Sequence, residues 1–533
     1  MPDAVQSAPA AAEAGKDRYK WEVLGVLMLG LLMPMIDSSI VNVSLPTIMA
    51  DFGCTVDDIE WVVTGYMLAF AVLMPLTAWF RDHIGHKKLY IGALLVFTLG
   101  SLLCAMAWNL PSLIAARIIQ ALGGGAIGPT SMAMLSEVFP PNERGKAIGY
   151  WGMPIVVGPA IGPTLGGFLT HTLGWRSIFT INLPVGVVAV LLSMVLLRSD
   201  TPRESGKRGF DLSGFVFLTL FLVSFLLGLA RGEHDGWTSP FILSCFGLAV
   251  TGLAGFLLVE SLVQDRIIDI SLFKIPAFSA CMLVTVMRSV ALFGGLFLIP
   301  LFLQRLRGLD EIQSGLILLP GSLVMAAFMP LGGFLGDRVG PRYPCLVGMA
   351  AQFLFLYYYR DISMNTSIWG IIYPTMIRSL GMPLLMAPIM ATILNSVPKS
   401  KIAMASSMNN IIQQVGGAIG IAALTTVLSH RTVFHMADMA SNLKASTPGM
   451  RVALADLGHK ALSLGLPHVA ARGAALSTLG AWIGSNAMVD GFQDAFFFGA
   501  MVVAVSTLAI LLLPTRAMHG EVPKEIELEA EIG

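Results

Sequence analysis

Gly149–Gly167 reads GYWGMPIVVGPAIGPTLGG. The stretch lies inside an apolar run that continues to about Thr170, so it predicts a membrane-spanning helix. It holds six glycines and three prolines, a composition that destroys a helix in water. Pro154, Pro159 and Pro163 each remove a backbone donor and press on the preceding turn. Such a helix survives in lipid only where neighbouring helices cover its backbone. Gly158, Gly162 and Gly166 fall four apart and form a stripe without side chains, open to a second helix. Two readings follow: an ordinary small-residue packing face, or a stiff pivot between moving halves.

The remainder of the chain fits that reading. It is 55% hydrophobic and 12% charged, with a mean hydropathy of +0.75; a soluble domain carries about 25% charged residues, so this is a membrane protein. Lys+Arg and Asp+Glu balance at 33 each, which gives no ground for a nucleic-acid partner. Cys54, Cys104, Cys245, Cys281 and Cys345 show no metal or disulfide spacing and read as packed thiols. The first apolar run is long enough to span and reads as a retained anchor.

Fourteen apolar runs have spanning length, at 21–45, 61–80, 89–107, 112–136, 147–170, 177–197, 212–230, 239–259, 277–303, 313–335, 344–359, 368–392, 403–428 and 492–514. With a cytoplasmic N-terminus, inside segments hold 20 of the 33 Lys/Arg. That bias predicts both termini inside. The expected parts are an N-terminal tail (1–20), a first six-helix bundle (21–198), a polar linker (199–211), two inserted helices (212–259), a second six-helix bundle (277–514) and a C-terminal tail (515–533). Residues 429–491 form a long outside loop whose apolar spacing predicts short amphipathic helices. It is either a folded flap or a docking surface for another protein. His430 and His435 there read as solvated.

The halves are read from a repeat. Asp82-His83-Ile84-Gly85 is followed by His86-Lys87-Lys88, and Asp337-Arg338-Val339-Gly340 by Pro341-Arg342, 255 residues later. Each is a tight turn with an Asp three residues before a Gly. Repeated bundles around a central site are an architecture of alternating-access transport.

With these residues the chain resembles the major facilitator superfamily, and within it the fourteen-helix drug/proton antiporter branch. Asp82, Gly85 and Lys87 match the family loop motif, with Ala78 and Phe80 in place of its Gly and Leu. Leu113, Arg117, Gln120 and Gly123 match the helix 4 pattern. Gly149, Gly158, Gly162, Pro163, Gly166 and Gly167 match the antiporter motif of helix 5. IDSSIVNVSLP, with Asp37, Asn42 and Pro46, is similar to the branch pattern of helix 1. Gln413 stands where an Arg is expected. The resemblance implies a major facilitator fold and an inner-membrane, proton-coupled antiporter of amphiphilic drugs, without a cofactor. The alternative is an exporter or symporter of one defined metabolite, or a lipid-like anion exporter. It also implies that the loop contacts latch one state.

Charge inside hydrocarbon is costly, about 2.5–3.5 kcal/mol or more, so each instance needs a reason. Four stand out: Asp37, Arg117, Arg288 and Arg378. Helix geometry sets Asp37 about 24 Å along helix 1 and Arg117 about 9 Å into helix 4, both in the outer third. Facing each other, they make either a proton site or a static ion pair. Asn42, Gln120, Arg288 and Arg378 are the candidate cavity residues; the two arginines are alternatively satisfied by carbonyls and Gln or Asn groups. The expected latch comprises Asp82 capping a helix, Lys87 reaching Glu137, and the second copy at Asp337 and Arg338. No G-x-x-x-x-G-K-[ST] or H-E-x-x-H occurs, which disfavours an ATP-driven pump and a metalloprotease. The long outside loop also suggests a two-membrane bacterium, with a periplasmic adaptor and an outer-membrane channel as partners.

Overall fold

The computed structural model describes residues 7–198, 209–263, 266–398, 401–442, 448–464 and 467–516. Most of the expected linker at 199–211 and most of the tail after 515 lie outside them.

The first half comprises α1 (Ser7–Phe52), α2 (Val56–Ile59), α3 (Trp61–Leu73), α4 (Leu76–Ile84), α5 (His86–Ala105), α6 (Leu110–Val138), α7 (Arg144–Leu173), α8 (Ser177–Thr180) and α9 (Asn182–Leu196). Next come α10 (Leu212–Asp235) and α11 (Pro240–Leu262). The second half has α12 (Pro276–Arg305), α13 (Glu311–Val339), α14 (Arg342–Tyr358), α15 (Ile368–Asn395), α16 (Ile402–Asn442), α17 (Pro448–Ser463) and α18 (His468–Ile510). Among the described residues, 11 helices are long and apolar enough to cross a membrane, and the bent pair at Val56–Ile84 makes up to 12. That pair turns by 54° at Pro75, which has no N–H to continue the α3 ladder. The other two apolar runs fall on α12 and α14, so each of the fourteen lies on a helix; fourteen crossings remain what those runs predict.

Local chemistry sets the ends. Asn109 and Asp310 close capping boxes at the starts of α6 and α13. Gly85 and Gly340 have φ of 81° and 87°, and they end α4 and α13 in the same way. Each sits three residues after its Asp, and a side chain there is strained. The repeat seen in the sequence is therefore a repeat of backbone shape.

We call the end of the bundle carrying Trp21 and Glu143 the first face, and the end carrying Asp51 and Trp175 the second. The halves meet where α7 packs on α13 and α15, and where α16 packs on α4 and α6. The inserted α10 leans on α3 of one half and α16 of the other. A small cluster of Met74, Leu218, Leu222, Phe256 and Ile411 joins all three parts.

The segment 429–491 departs from expectation. It is not a loop of separate short helices: α16 and α18 run on through it, with only α17 as a short helix packed on α18. At 41 and 43 residues they are about 62 and 65 Å long, twice the roughly 30 Å hydrocarbon layer. Residues 429–442 contain no Gly or Pro, so nothing stops α16 at the membrane edge. Gly491 lets α18 approach Leu428 and Thr432 closely, and Asp494 Oδ2 accepts from Arg431 Nε at 2.5 Å and pairs with His435 Nε2 at 2.7 Å. His435 is thus hydrogen-bonded to Asp494, where a solvated ring was expected.

Candidate functional site

The glycines of α7 divide between two partners. Gly158, Gly162 and Gly166 face α1: added methyl groups would meet Met35 Cβ at 2.6 Å, collide with Ser39 Oγ, and meet Ile40 Cγ1 at 2.8 Å. Gly145, Gly149, Gly152 and Gly167 instead face α13, where methyls would meet Gly333 O at 2.5 Å, Met329 O at 2.5 Å, Met329 Cε, and Ile312 Cδ1 at 3.1 Å. The stripe at 158–166 is therefore an interface within the first half. The contact between halves uses the other glycine face, and Pro163 approaches it at Gly315. Helix α7 is a proline-stiffened rod clasped on both sides.

Directly across from that stripe, α1 turns Asp37 inward. The carboxylate is fully buried, with Arg117 1% exposed and Gln120 0%. Arg117 Nη1 donates to Asp37 Oδ2 at 2.5 Å and to Gln120 Oε1 at 2.6 Å. Gln120 Nε2 donates to Asp37 Oδ1 at 2.8 Å, and Asn182 Nδ2 donates to the same oxygen at 3.1 Å. Both amides also donate to Ser101 Oγ, at 2.7 and 3.2 Å. The guanidinium carbon lies 4.0 Å from the Tyr66 ring centroid, a cation–π contact that covers its face. Every side chain bonded to Asp37 is a donor, which suits the ionised, acceptor-only carboxylate. A proton on Asp37 adds a donor among donors and breaks the match.

The cavity set predicted from sequence does not converge. Gln120 belongs to the Asp37 cluster and is closed off, so it is corrected from a cavity residue to a partner of the carboxylate. Asn42 is exposed, one turn beyond exposed Ser38 on the same face of α1. Arg288 and Arg378 lie in the other half, 3% and 7% exposed. Arg288 Nη2 donates to Gln413 Oε1 at 3.1 Å, so the Gln that replaces an expected Arg serves as an acceptor. The Nε and Nη1 atoms of both arginines have no hydrogen-bond partner among the described residues. Arg378 has its charge 5.1 Å from the Phe355 ring.

The two loop copies behave differently. Asp337 caps α7: its oxygens accept from Gly145 N and Lys146 N, both at 3.0 Å. Arg338 beside it rests on Phe334. Asp82 does not cap a helix; it accepts from Arg81 Nε at 2.8 Å and Nη2 at 2.5 Å. Glu137 pairs with His86 Nε2 at 2.9 Å, not with Lys87. Lys87 Nζ instead donates to the carbonyls of Met194 and Leu197 at 2.7 and 2.6 Å, the free acceptors at the end of α9. Next to the Asp337 cap, Arg144 Nη1 donates to Asn395 Oδ1 at 2.7 Å, and Thr77 and Ser407 share a hydroxyl bond of 2.9 Å. These contacts close the first face between the halves.

Ser101 and Asn182 are neutral and so escape a reading based on buried charge; polar residues within apolar runs are the signal that marks them. Glu260, at the end of α11, was not anticipated from the sequence: it is 1% exposed, and its Oε1 accepts from Ile267 N and Ile268 N at 3.1 and 3.0 Å. Near it, Asp269 Oδ2 accepts from Lys401 Nζ at 2.6 Å. Burial alone raises the Asp269 pKa, but the bonds from Lys401 and Ser271 outweigh it and hold the carboxyl down at about 2.

Comparison with known proteins agrees with this geometry. The family profile described as Major Facilitator Superfamily matches residues 27–421. The chain is 32% identical over 508 residues to "Uncharacterized MFS-type transporter YhcA" of Bacillus subtilis, covering 95% of each. It is 34% identical over 424 residues to "Multidrug resistance protein B homolog" of Mycobacterium tuberculosis, covering 76% of each. It is also 28% identical to "Multidrug transporter protein MdtP" of Bacillus subtilis, covering 94% of each. Among solved structures, the proton:xylose symporter XylE superposes with a TM-score of 0.60 at 13% identity, over 97% of this chain and 99% of that one; at that identity the likeness concerns fold alone. Helical throughout its regular structure among the described residues, built from two repeated halves, and matched by the family profile over most of its length, the chain is a multi-pass membrane transporter and belongs to the major facilitator superfamily.

Proposed function

We propose that this transporter is a proton-coupled antiporter that exports amphiphilic drugs or related hydrophobic compounds by alternating access. In this reading it sits in the inner membrane with both termini and the first face in the cytoplasm. The observation that carries it is Asp37, a buried carboxylate bonded only to donors and backed by the glycine face of α7. A proton arriving past exposed Ser38 and Asn42 turns the Asp37 carboxylate into a carboxyl. Arg117 then loses its counter-charge, and Gln120 and Asn182 lose a charged acceptor, a change of several kcal/mol in a buried pair. The strained network relaxes by moving α1 along the α7 stripe. Because α7 bears on α13 with its other face, the shift reaches the second half and the Asp337 cap. Opening of the first face and binding of substrate follow, and loss of the proton restores the bonded state.

The test is efflux from vesicles containing purified protein, with a pH gradient imposed across the membrane. Wild type should extrude a fluorescent amphiphile in step with proton entry, and Asp37→Asn should abolish gradient-driven extrusion while leaving the protein folded. Undiminished extrusion by Asp37→Asn, with no proton flux, sinks the proposal. The two buried arginines favour a narrower second reading, export of lipid-like anions. We further propose that the projecting α16–α18 hairpin, which exposes Val433, Phe434, Val469 and Trp482, docks a periplasmic adaptor leading to an outer-membrane channel. Co-purification of the two from crosslinked membranes, lost on replacing those four residues by Ser, tests that arm.

A further inference from the structure

The halves treat their buried charges in opposite ways. In the first, Arg117 is matched by Asp37. In the second, Arg288 and Arg378 are permanently charged, and the buried acids among the described residues are Asp37, Asp211, Glu260 and Asp269. None of these reaches either arginine: Asp37 and Asp269 hold Arg117 and Lys401, Asp211 caps α10, and Glu260 holds the backbone at 267–268. Among the described residues the two guanidiniums make one side-chain hydrogen bond between them, Arg288 to Gln413, and Nε and Nη1 of each have no partner. The Oγ of Ser289 is a further buried group without a partner among the described residues.

Their depth places these charges at one level. Arg288 lies 12 residues after Pro276 on α12 and Arg378 lies 10 residues after Ile368 on α15, about 18 and 15 Å along helices of opposite direction. Both therefore sit near the middle of a hydrocarbon layer about 30 Å thick, on helices that pack against each other. Gln413, the partner of Arg288, lies on α16. With Asn410 and Gln414 it forms a half-buried polar face of α16, the helix that abuts α4 and α6 of the first half. Polar groups in mid-span face a bundle interior or a water-filled cavity, not lipid.

We infer that the polar mid-membrane region bordered by α12, α15 and α16 binds the head group of an anionic amphiphile, a carboxylate or sulfonate, with Arg288 and Arg378 as the charge partners. A guanidinium in low dielectric gains most from a bidentate anion, and two uncompensated positive charges repel a permanent cation. The inference deepens the export reading by naming the class of substrate, and it rests on that reading only for the claim that the bound compound is moved.

Binding is therefore measured without transport. Full-length protein in lipid nanodiscs is titrated with decanesulfonate and with decyltrimethylammonium, which have equal chains and opposite permanent charge, against empty nanodiscs. Decanesulfonate should bind at least ten-fold more tightly than decyltrimethylammonium. Arg288→Gln and Arg378→Gln should each weaken it ten-fold or more, and Arg288→Lys, which keeps the charge but loses the bidentate fork, should weaken it less than Arg288→Gln. Gln413→Glu keeps both arginines and supplies an internal carboxylate, so it should also weaken decanesulfonate ten-fold, and it guards against a folding defect in the arginine variants. Equal or tighter binding of the ammonium, or unchanged sulfonate affinity in Arg378→Gln and Gln413→Glu, overturns the assignment. Loss of gradient-driven efflux with this binding intact counts against the proton-coupled reading alone.

Discussion

Replacing Asp337 tests whether the first face is held shut by a helix cap. The carboxylate accepts two backbone N–H groups of α7, both at 3.0 Å, at the positive end of that helix. A hydrogen bond to a charged group contributes about 1.5–3 kcal/mol, and a carboxylate at a helix N-terminus adds about 0.3–1 kcal/mol. Removing the charge should shift the closed-to-open equilibrium by about 2–4 kcal/mol, roughly 30- to 1,000-fold. Asp337→Asn keeps one neutral acceptor and should lie at the lower end; Asp337→Ala should lie at the upper. Spin labels on Lys88 of α5 and Tyr343 of α14, both exposed at the first face, report the separation of the halves. A longer distance should appear in Asp337→Asn and dominate in Asp337→Ala. Asp82→Asn should change the distribution less, because that carboxylate is held by its neighbour Arg81 and caps no helix. Identical distributions in wild type and Asp337→Ala, with both proteins folded, would refute the reasoning.

Three further outcomes are expected. Gly162→Ala drives a methyl into Ser39 of α1 and should lower stability by about 1–3 kcal/mol, whereas Gly128→Ala, with nothing within 4 Å, should be tolerated; thermal unfolding in nanodiscs compares them. Asn182→Leu removes a donor to the buried Asp37 carboxylate and should cost about 1.5–3 kcal/mol in the same assay. The Asp269 carboxyl is held at about 2, below its ordinary 3.8, so its contribution of about 2 kcal/mol is present above pH 4 and lost as pH falls from 4 towards 2. Asp269→Asn should remove that part of the acid dependence, seen as a flatter profile of melting temperature against pH.

The fold was legible because its strongest signals are periodic and local. Apolar runs of spanning length mark helices whatever packs beside them, and the Asp82 and Asp337 turns carry their repeat in residue types that only such a backbone accepts. The pairing of Asp37 with Arg117 was legible from depth along two helices, since a buried carboxylate and a buried guanidinium at one level have few other partners. What escaped was rotation. Spacing shows that Gly158, Gly162 and Gly166 share a face of α7, but it does not say that the face meets α1 while Gly149 and Gly167 meet α13. Gln120 was misplaced for the same reason, being at the right depth but turned inward. His86 took the bond expected of Lys87 because adjacent residues at a helix start point about 100° apart, and one-residue phase is below what a motif resolves. The run from 429 was read as a loop because its polarity rises there, although its first fourteen residues, 429–442, contain no Gly or Pro to end a helix.

The uninterrupted passage of α16 and α18 out of the membrane has a mechanical result. A helix without a break transmits tilt along its axis, so a small rotation of the second half about the bilayer centre becomes a sideways sweep at the far tip. With about 62 Å of α16 pivoting near mid-bilayer, each degree displaces the outer end by roughly 0.8 Å. Anything clamped to that mast would be swung in step with turnover, and immobilising it would slow the transporter from a site well clear of the contact between its halves.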